Sequence, residues 1–246
     1  MPDKTKNQVA LFTTCMVDQL FPEVAVAAVR LLRRSGFSVI YPEEQTCCGQ
    51  PFSNSGFRAE ARKLARQTIQ TLLPYQAVVV LGGSCTGMLR VEYPQLFEDD
   101  ADWLARARQL AAKTFELSEF LNARVVLKPK RTTTQSVTVT YHDSCHMLRV
   151  IGLKQQPRTL LEQVGCQIIE MADSERCCGF GGLFTVRMHE VSQAITDGKL
   201  ERAFATGAQV LVTADPGCLM QMRSAQAEGS PTRIAHLAEV LEELAA

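Results

Sequence analysis

The sequence predicts an α/β protein built as two tandem, pseudo-repeated open parallel-sheet domains of Rossmann-like type, with ligands at the carboxyl ends of the strands. Three observations predict it. A shift of 130 residues superimposes Cys15, Cys47, Cys48 and Gly49 on Cys145, Cys177, Cys178 and Gly179. Short apolar runs without polar alternation, the pattern of strands buried on both faces, take turns with stretches of helical periodicity. Each such run also delivers a cysteine close to its carboxyl end, the edge at which open parallel sheets bind ligands. The chain of 246 residues is long enough for two domains, each with its own core. The repeat places the first over residues 1–127 and the second over 136–246, with the unpatterned basic and polar run 128–135 as linker.

Taken in order, residues 8–14 read as a buried strand ending at Cys15. A helix over 21–35 follows, with Val24, Ala27, Ala28, Leu31 and Leu32 on one face and Gly36 as its stop. A second strand over 37–41 leads to Cys47 and Cys48, and the turn formers of 50–56 predict exposed backbone after them. A helix over 57–73 and a strand over 77–81 complete a β-α-β-α-β unit that ends at Cys85. Residues 86–122 read as helix in two or three pieces, broken at Pro94 and around 99–102. The second half predicts strand 136–141, helix 157–164, strand 167–171, the loop Cys177-Cys178-Gly179-Phe180-Gly181-Gly182, helix 190–206, strand 209–214 and a last helix 235–244.

Eight of the nine cysteines fall into two quartets: Cys15, Cys47, Cys48 and Cys85, then Cys145, Cys177, Cys178 and Cys218. Cys166 lies off the repeat and reads as a core residue, because free cysteine is among the most buried residue types. Burial explains one cysteine at a time, whereas a repeated spacing calls for a shared ligand. Four thiolates form a soft, anionic set of the kind that holds iron–sulfur clusters or tetrahedral zinc. Vicinal cysteines fit one small ion poorly, since consecutive side chains point apart, while a four-iron cluster can take one thiolate on each of several irons. Gly49 and Gly179 permit the tight turn this needs, and with Gly181 and Gly182 they leave backbone N–H groups free to face cluster sulfurs. His142 and His146 flank Cys145 as donors to such a group or as proton carriers, with solvated histidines as the bland alternative. A thiol–disulfide role ranks last, because adjacent cysteines close only a strained ring and no CxxC is present.

Composition excludes other classes. Twenty-six basic residues balance 26 acidic ones, so no field of one sign points to nucleic acid or an anionic membrane. Neither GxGxxG nor GxxxxGK[ST] follows a strand, which argues against a nucleotide site. The first residues form no signal peptide and no run reaches the length of a spanning helix. A cytoplasmic location with reduced thiols is therefore expected.

The C-x31-C-C-G repeat resembles the CCG-motif cysteine-rich iron–sulfur proteins, which include the heterodisulfide reductase B subunit, the glycolate oxidase iron–sulfur subunit and a cysteine-rich component of some succinate dehydrogenases. The likeness is closest to the small lactate-utilisation A-type branch, which lacks the ferredoxin module of some relatives. It rests on TCCGQPFSNSG, GGSCTGM, ELSEFL, YHDSCHMLR, CCGFGG and CLM, which together span nearly the whole chain. The resemblance implies an electron-transfer subunit of a cytoplasmic complex that oxidises L-lactate to pyruvate. Its partners would be a ferredoxin-type iron–sulfur subunit and a third subunit, and its cofactor one four-iron cluster per half, in noncubane form as in the heterodisulfide relatives. Those relatives close each motif with CxxC, whereas here positions 82 and 88 are Gly and Met and positions 215 and 221 are Asp and Gln. Four thiolates per half leave noncubane cluster, cubane cluster and zinc all open. So do a zinc-stabilised scaffold without redox role, and a subunit of a related glycolate or heterodisulfide oxidoreductase. Asp215 is a possible oxygen ligand or the N-cap of the next helix.

Overall fold

The structure, a computed structural model, describes residues 7–130 and 136–246. The polar N-terminus (1–6) and most of the expected linker (131–135) lie outside the described residues. The chain divides into two compact units, Met1–Phe120 and Leu121–Ala246. Within the second, Pro129 bridges to Ala245 and the Lys130 N–H donates to the Leu244 carbonyl at 2.8 Å. Part of the stretch expected to link the halves thus lies along the end of the second unit.

The first unit runs β1 (Gln8–Phe12), α1 (Cys15–Leu20), α2 (Pro22–Arg34), β2 (Ser38–Ile40), α3 (Gln50–Asn54), α4 (Arg58–Leu72), β3 (Val78–Val80) and α5 (Gly83–Gly87). After a π-helical turn, Met88–Glu92, come α6 (Tyr93–Leu96), α7 (Ala101–Ala111), β4 (Thr114–Glu116) and α8 (Leu117–Arg124). The second runs β5 (Thr138–Tyr141), a π-helical turn His146–Val150, α9 (Gln155–Gln163), β6 (Gln167–Ile168), α10 (Phe184–Arg187), α11 (His189–Phe204), β7 (Val210–Thr213), α12 (Pro216–Ala225), β8 (Arg233–His236) and α13 (Leu237–Leu244).

Both sheets are wholly parallel and have the same order, β2-β1-β3-β4 and β6-β5-β7-β8. The expected α/β duplication is therefore present. The continuous apolar runs are buried as their pattern requires: Ala10, Leu11 and Phe12 of β1 and all of β3 are inaccessible to solvent. Burial of each Leu, Phe or Val among them contributes roughly 1.5–3 kcal/mol.

Two departures concern elements. Each sheet has a fourth strand beyond those expected: β4 lies inside the stretch 86–122 that reads as helix, and β8 begins before and overlaps the start of the helix read at 235–244. Both are short and run directly into a helix, so the strand period had too few residues to register. The turn formers after Cys48 form α3, and Gln50 is buried, with its Nε2 donating to the Ser84 carbonyl at 3.0 Å. Ser53 Oγ also lies 2.9 Å from Glu92 Oε2. These tertiary bonds override the local turn preference of Asn and Ser.

Candidate metal centres

The order of each sheet creates a switch point where the chain leaves β1 for β2 on one side and β3 on the other, which opens a crevice at the carboxyl edge. Cys15 follows β1, Cys47 and Cys48 follow β2, and Cys85 lies in α5 just beyond β3. In the second unit Cys145 follows β5, Cys177 and Cys178 follow β6, and Cys218 lies in α12 just beyond β7. Cys166 precedes β6, at the opposite sheet edge, and is buried. Burial, then the charge of Glu243, pushes its thiol up to about 11, as befits an inert core residue.

The sulfurs come to contact distance. Cys48 Sγ is 3.1 Å from Cys85 Sγ, and Cys178 Sγ is 3.0 Å from Cys218 Sγ. All nine cysteines are free thiols. Each quartet has a buried pair, Cys48 with Cys85 and Cys178 with Cys218, and an exposed member, Cys15 or Cys177. The vicinal residues differ in burial, Cys48 and Cys178 lying deeper than Cys47 and Cys177, but their side chains do not point apart as expected: the two thiols of each pair stay in contact. The first quartet opens through Cys15 and Cys47 onto a cavity of about 190 Å³ lined also by Thr14, Asp18, Gln45 and Thr46.

Local structure holds these positions. The Thr14 hydroxyl accepts the Val17 N–H at 3.3 Å and caps α1 at Cys15, in a left-handed backbone conformation (φ 66°) that is rare for threonine. The Tyr93 hydroxyl donates to the Cys48 carbonyl at 2.8 Å, and Thr196 Oγ1 donates to the Cys178 carbonyl at 2.9 Å. Gly49 N–H faces Cys47 Sγ at 3.4 Å and Gly179 N–H faces Cys177 Sγ at 3.3 Å. Gly179 has φ +95°, and a Cβ there would fall 2.3 Å from Thr196 Oγ1. Only glycine lets α11 approach the loop so closely. Gly181 and Gly182 also have positive φ, but among the described residues neither N–H is seen on a cysteine sulfur.

Crowded thiols perturb one another. Cys47 Sγ, hydrogen-bonded by Cys15 and Cys48, is held well below the usual thiol range, while that contact and burial push Cys15 and Cys48 well above it. Cys177 is pushed up by its contact with Cys178 and by burial, and Cys145 by burial and then by the charge of Asp215. Four such thiols can ionise together only around a cation, so the donor set fits a soft metal ion or a metal–sulfur cluster.

The flanking residues take distinct places. His146 Nδ1 lies 3.4 Å from Cys145 Sγ. His142 is buried beside Cys178 and Cys218, with the three donor atoms within 4.8 Å of one another. Burial, then the charge of Lys199, pushes its ring well below the usual imidazole value, so it is neutral. Asp143 makes a bidentate pair with Arg158 (2.8 and 2.8 Å) and accepts from Ser174 Oγ at 2.8 Å. Arg158 also pairs with Glu170 and lies over the Tyr141 ring at 5.1 Å. Asp215 caps α12, its Oδ1 accepting the Gly217 N–H at 3.1 Å.

Sequence reasoning missed Lys199, Ser192, Thr196 and Gln221. They build a buried polar floor in which Gln221 Nε2 donates to Thr196 Oγ1 (2.9 Å) and Lys199 Nζ to the Ser174 carbonyl (2.7 Å). Burial lowers Lys199 to about 8, against the opposing pull of Asp143. A signal existed. The buried stripe of α4, Ala61, Ala65, Thr68, Ile69 and Leu72, matches that of α11, Ser192, Thr196, Lys199, Leu200 and Ala203, position for position. Comparison of the halves would have exposed three apolar-to-polar or neutral-to-charged changes.

Residues 9–90 and 139–223 each match the CCG cysteine-rich domain, one match per sheet and per quartet. The chain belongs to that family. Among curated relatives, a protein of Halalkalibacterium halodurans described as "Lactate utilization protein A" is 44% identical over 95% of this chain and 96% of its own. The Bacillus subtilis protein of the same description is 42% identical over 95% and 98%. A solved structure of a hypothetical protein from Helicobacter pylori superimposes with a TM-score of 0.64 at 11% identity, covering 96% of this chain and 48% of that one. That likeness shows the fold alone.

Proposed function

We propose that this CCG chain is the iron–sulfur electron-transfer subunit of a cytoplasmic complex that oxidises L-lactate to pyruvate. The observation that carries the reading is the pair of equivalent thiol quartets, each gathered at a sheet edge with one member exposed and two buried. The buried sulfurs would hold the group, and the exposed side would bring it within electron-transfer reach of a partner. The relatives described as "Lactate utilization protein A", alike over nearly their whole length, support the substrate. Ligands in the first half are Cys15, Cys47, Cys48 and Cys85, and in the second Cys145, Cys177, Cys178 and Cys218. A four-iron group at each quartet would supply one-electron chemistry; this chain's contribution is to bind it, orient it through the Gly49 and Gly179 N–H groups and shield its inner face. His146 faces Cys145 as a second donor to the same group. The partners are a ferredoxin-type iron–sulfur subunit and a third subunit. Among the described residues no helix is long and apolar enough to cross a membrane.

Anaerobic purification followed by iron, acid-labile sulfide and zinc analysis tests this. Iron and sulfide in both halves, and lactate-dependent reduction of the chain in the reconstituted complex, are expected. Stoichiometric zinc without iron would overturn it. One observation favours that second reading, a zinc-stabilised scaffold: His142, Cys178 and Cys218 are close enough for a single ion. Colour separates the two, because zinc–thiolate sites are colourless.

A further inference from the structure

The two sites are not chemically equivalent. Phe12, inaccessible in the first unit, occupies the repeat position of His142. His142 is 1% exposed, and among the described residues neither ring nitrogen has a hydrogen-bond partner. The Ser174 carbonyl lies near enough to the ring to raise its affinity for a proton, and it already accepts the Asp143 N–H (3.1 Å) and the Lys199 ammonium (2.7 Å). A buried imidazole left unsatisfied gives up its hydrogen bonds to water with nothing in return. The other wholly buried histidine, His236, meets that demand by accepting the Ala238 N–H on Nδ1 at 3.1 Å. His142 has no such backbone use. Its own N–H donates to the Val212 carbonyl at 2.9 Å, one step beyond β5, which fixes the residue at the sheet edge facing the cysteines.

We propose that His142 is a direct nitrogen ligand of the metal group held by the second quartet, so that the first half binds through thiolates alone and the second through a mixed histidine–cysteine set. Its ring nitrogen and the sulfurs of Cys178 and Cys218 lie within 4.8 Å of one another, near the span of donors around one ion with bonds of about 2.0–2.3 Å. Small side-chain rotations close the remaining gap. An imidazole nitrogen brings no charge, so a metal position filled by His142 and not by a thiolate leaves the group less negative and its reduction potential above that of the first. The Lys199 ammonium, held beneath the second site where the first has Thr68, acts in the same direction. The inference rests on reading the quartets as metal ligands, but not on the metal being iron.

The test uses the full chain carrying Cys47→Ser and Cys48→Ser, which leaves the second site as the one observed. After anaerobic iron loading and reduction, pulsed electron paramagnetic resonance on protein with 15N-labelled histidine should show a directly coupled imidazole nitrogen. His142→Phe, which copies Phe12, should abolish that coupling and shift the midpoint potential downward. The metal-free chain titrated with Co2+ gives a readout independent of iron: X-ray absorption should report nitrogen beside sulfur, and His142→Phe should replace it and weaken Co2+ binding at least tenfold. His142→Gln, which keeps a polar group there, checks that any loss is of a ligand and not of the fold, with circular dichroism as control. Failure to load iron together with a nitrogen-ligated Co2+ site would sink the iron–sulfur reading and leave this one standing. A sulfur-only Co2+ site, or iron loading with no histidine coupling, would overturn the inference itself.

Discussion

At the scale of single residues, burial sets opposite proton linkages in the two units. Glu116 and His236 end the fourth strand of each sheet and cap the next helix: Glu116 Oε2 accepts the Ser118 N–H at 2.6 Å, and His236 Nδ1 the Ala238 N–H. Burial raises Glu116 from 4.5 to about 7, so the folded state holds a proton that the unfolded state has released. Its stabilisation is complete below pH 4.5 and lost as pH rises through 7. Burial lowers His236 from 6.5 to about 4, so its contribution is present above pH 6.5 and lost as pH falls through 4. Each window spans roughly 3 kcal/mol, at about 1.4 kcal/mol per pKa unit. Hydrogen exchange followed from pH 4.5 to 6.5 should therefore show the first unit weakening and the second strengthening. Glu116→Gln and His236→Gln should each flatten the slope of their own unit. Ligand and neighbour separate at the same scale. Cys178→Ser replaces a soft thiolate with a hard hydroxyl and should cost the second half its iron, whereas Cys166→Ser should keep full iron content and lose at most about 1–3 kcal/mol of stability. Iron lost from Cys166→Ser and kept in Cys178→Ser would mean that the ligands are misassigned.

Among the elements, the segment leading into Cys177 and Cys178 depends on a clamp. Asp143 at the end of β5 grips Arg158 of α9 and Ser174 of the incoming loop, all within the second unit, and Asp143 is buried. Asp143→Ala would leave the Arg158 guanidinium with Glu170 as its remaining carboxylate and the Ser174 hydroxyl without its acceptor, at a cost of about 1–3 kcal/mol. Denaturant unfolding should record that loss, and proteolysis should cut first around residues 174–177. A stability within about 0.5 kcal/mol of the parent, the range of an ordinary surface change, would show the clamp to be dispensable. The close passage of α11 over the loop makes a second demand. Gly179→Ala adds a Cβ against Thr196 Oγ1 and the Ser192 carbonyl, so iron loading of the second half should fail. Gly182→Ala, which meets nothing within 4 Å, should cost only the strain of its φ of +68°, about 1 kcal/mol, and load normally.

For the whole molecule, each quartet draws its cysteines from three strand ends, so a bound group ties together the sheet that positions it. Binding to the folded form alone stabilises by mass action, which predicts that chelation lowers the midpoint of thermal unfolding in both units. In the Cys47→Ser, Cys48→Ser chain chelation should affect the second unit only, as read by hydrogen exchange in β5 and β7. A drop confined to one unit in the parent chain would show that only one quartet is filled. Two equivalent sheets with unlike floors, neutral under the first quartet and cationic under the second, are the arrangement expected of two centres of different potential.

Residue order was enough to specify the duplicated α/β architecture, the two quartets and the seat of each at a strand's carboxyl end. Buried parallel strands require continuous apolar runs such as QVALF and VVV, and a spacing used twice is independent of packing detail. Gly49 and Gly179 were legible for the same reason. The remaining features exist only in the folded chain. β4 and β8 are too short to display a period and form because a neighbouring strand offers its edge. The segment after Cys48 is helical because Gln50 and Ser53 find partners 34 and 39 residues away. His142 stands apart from a solvated histidine, and Lys199 from a surface lysine on an amphipathic helix, only once the chain has closed over them. Burial and the company of other side chains are properties of the folded chain, and local residue order does not encode them.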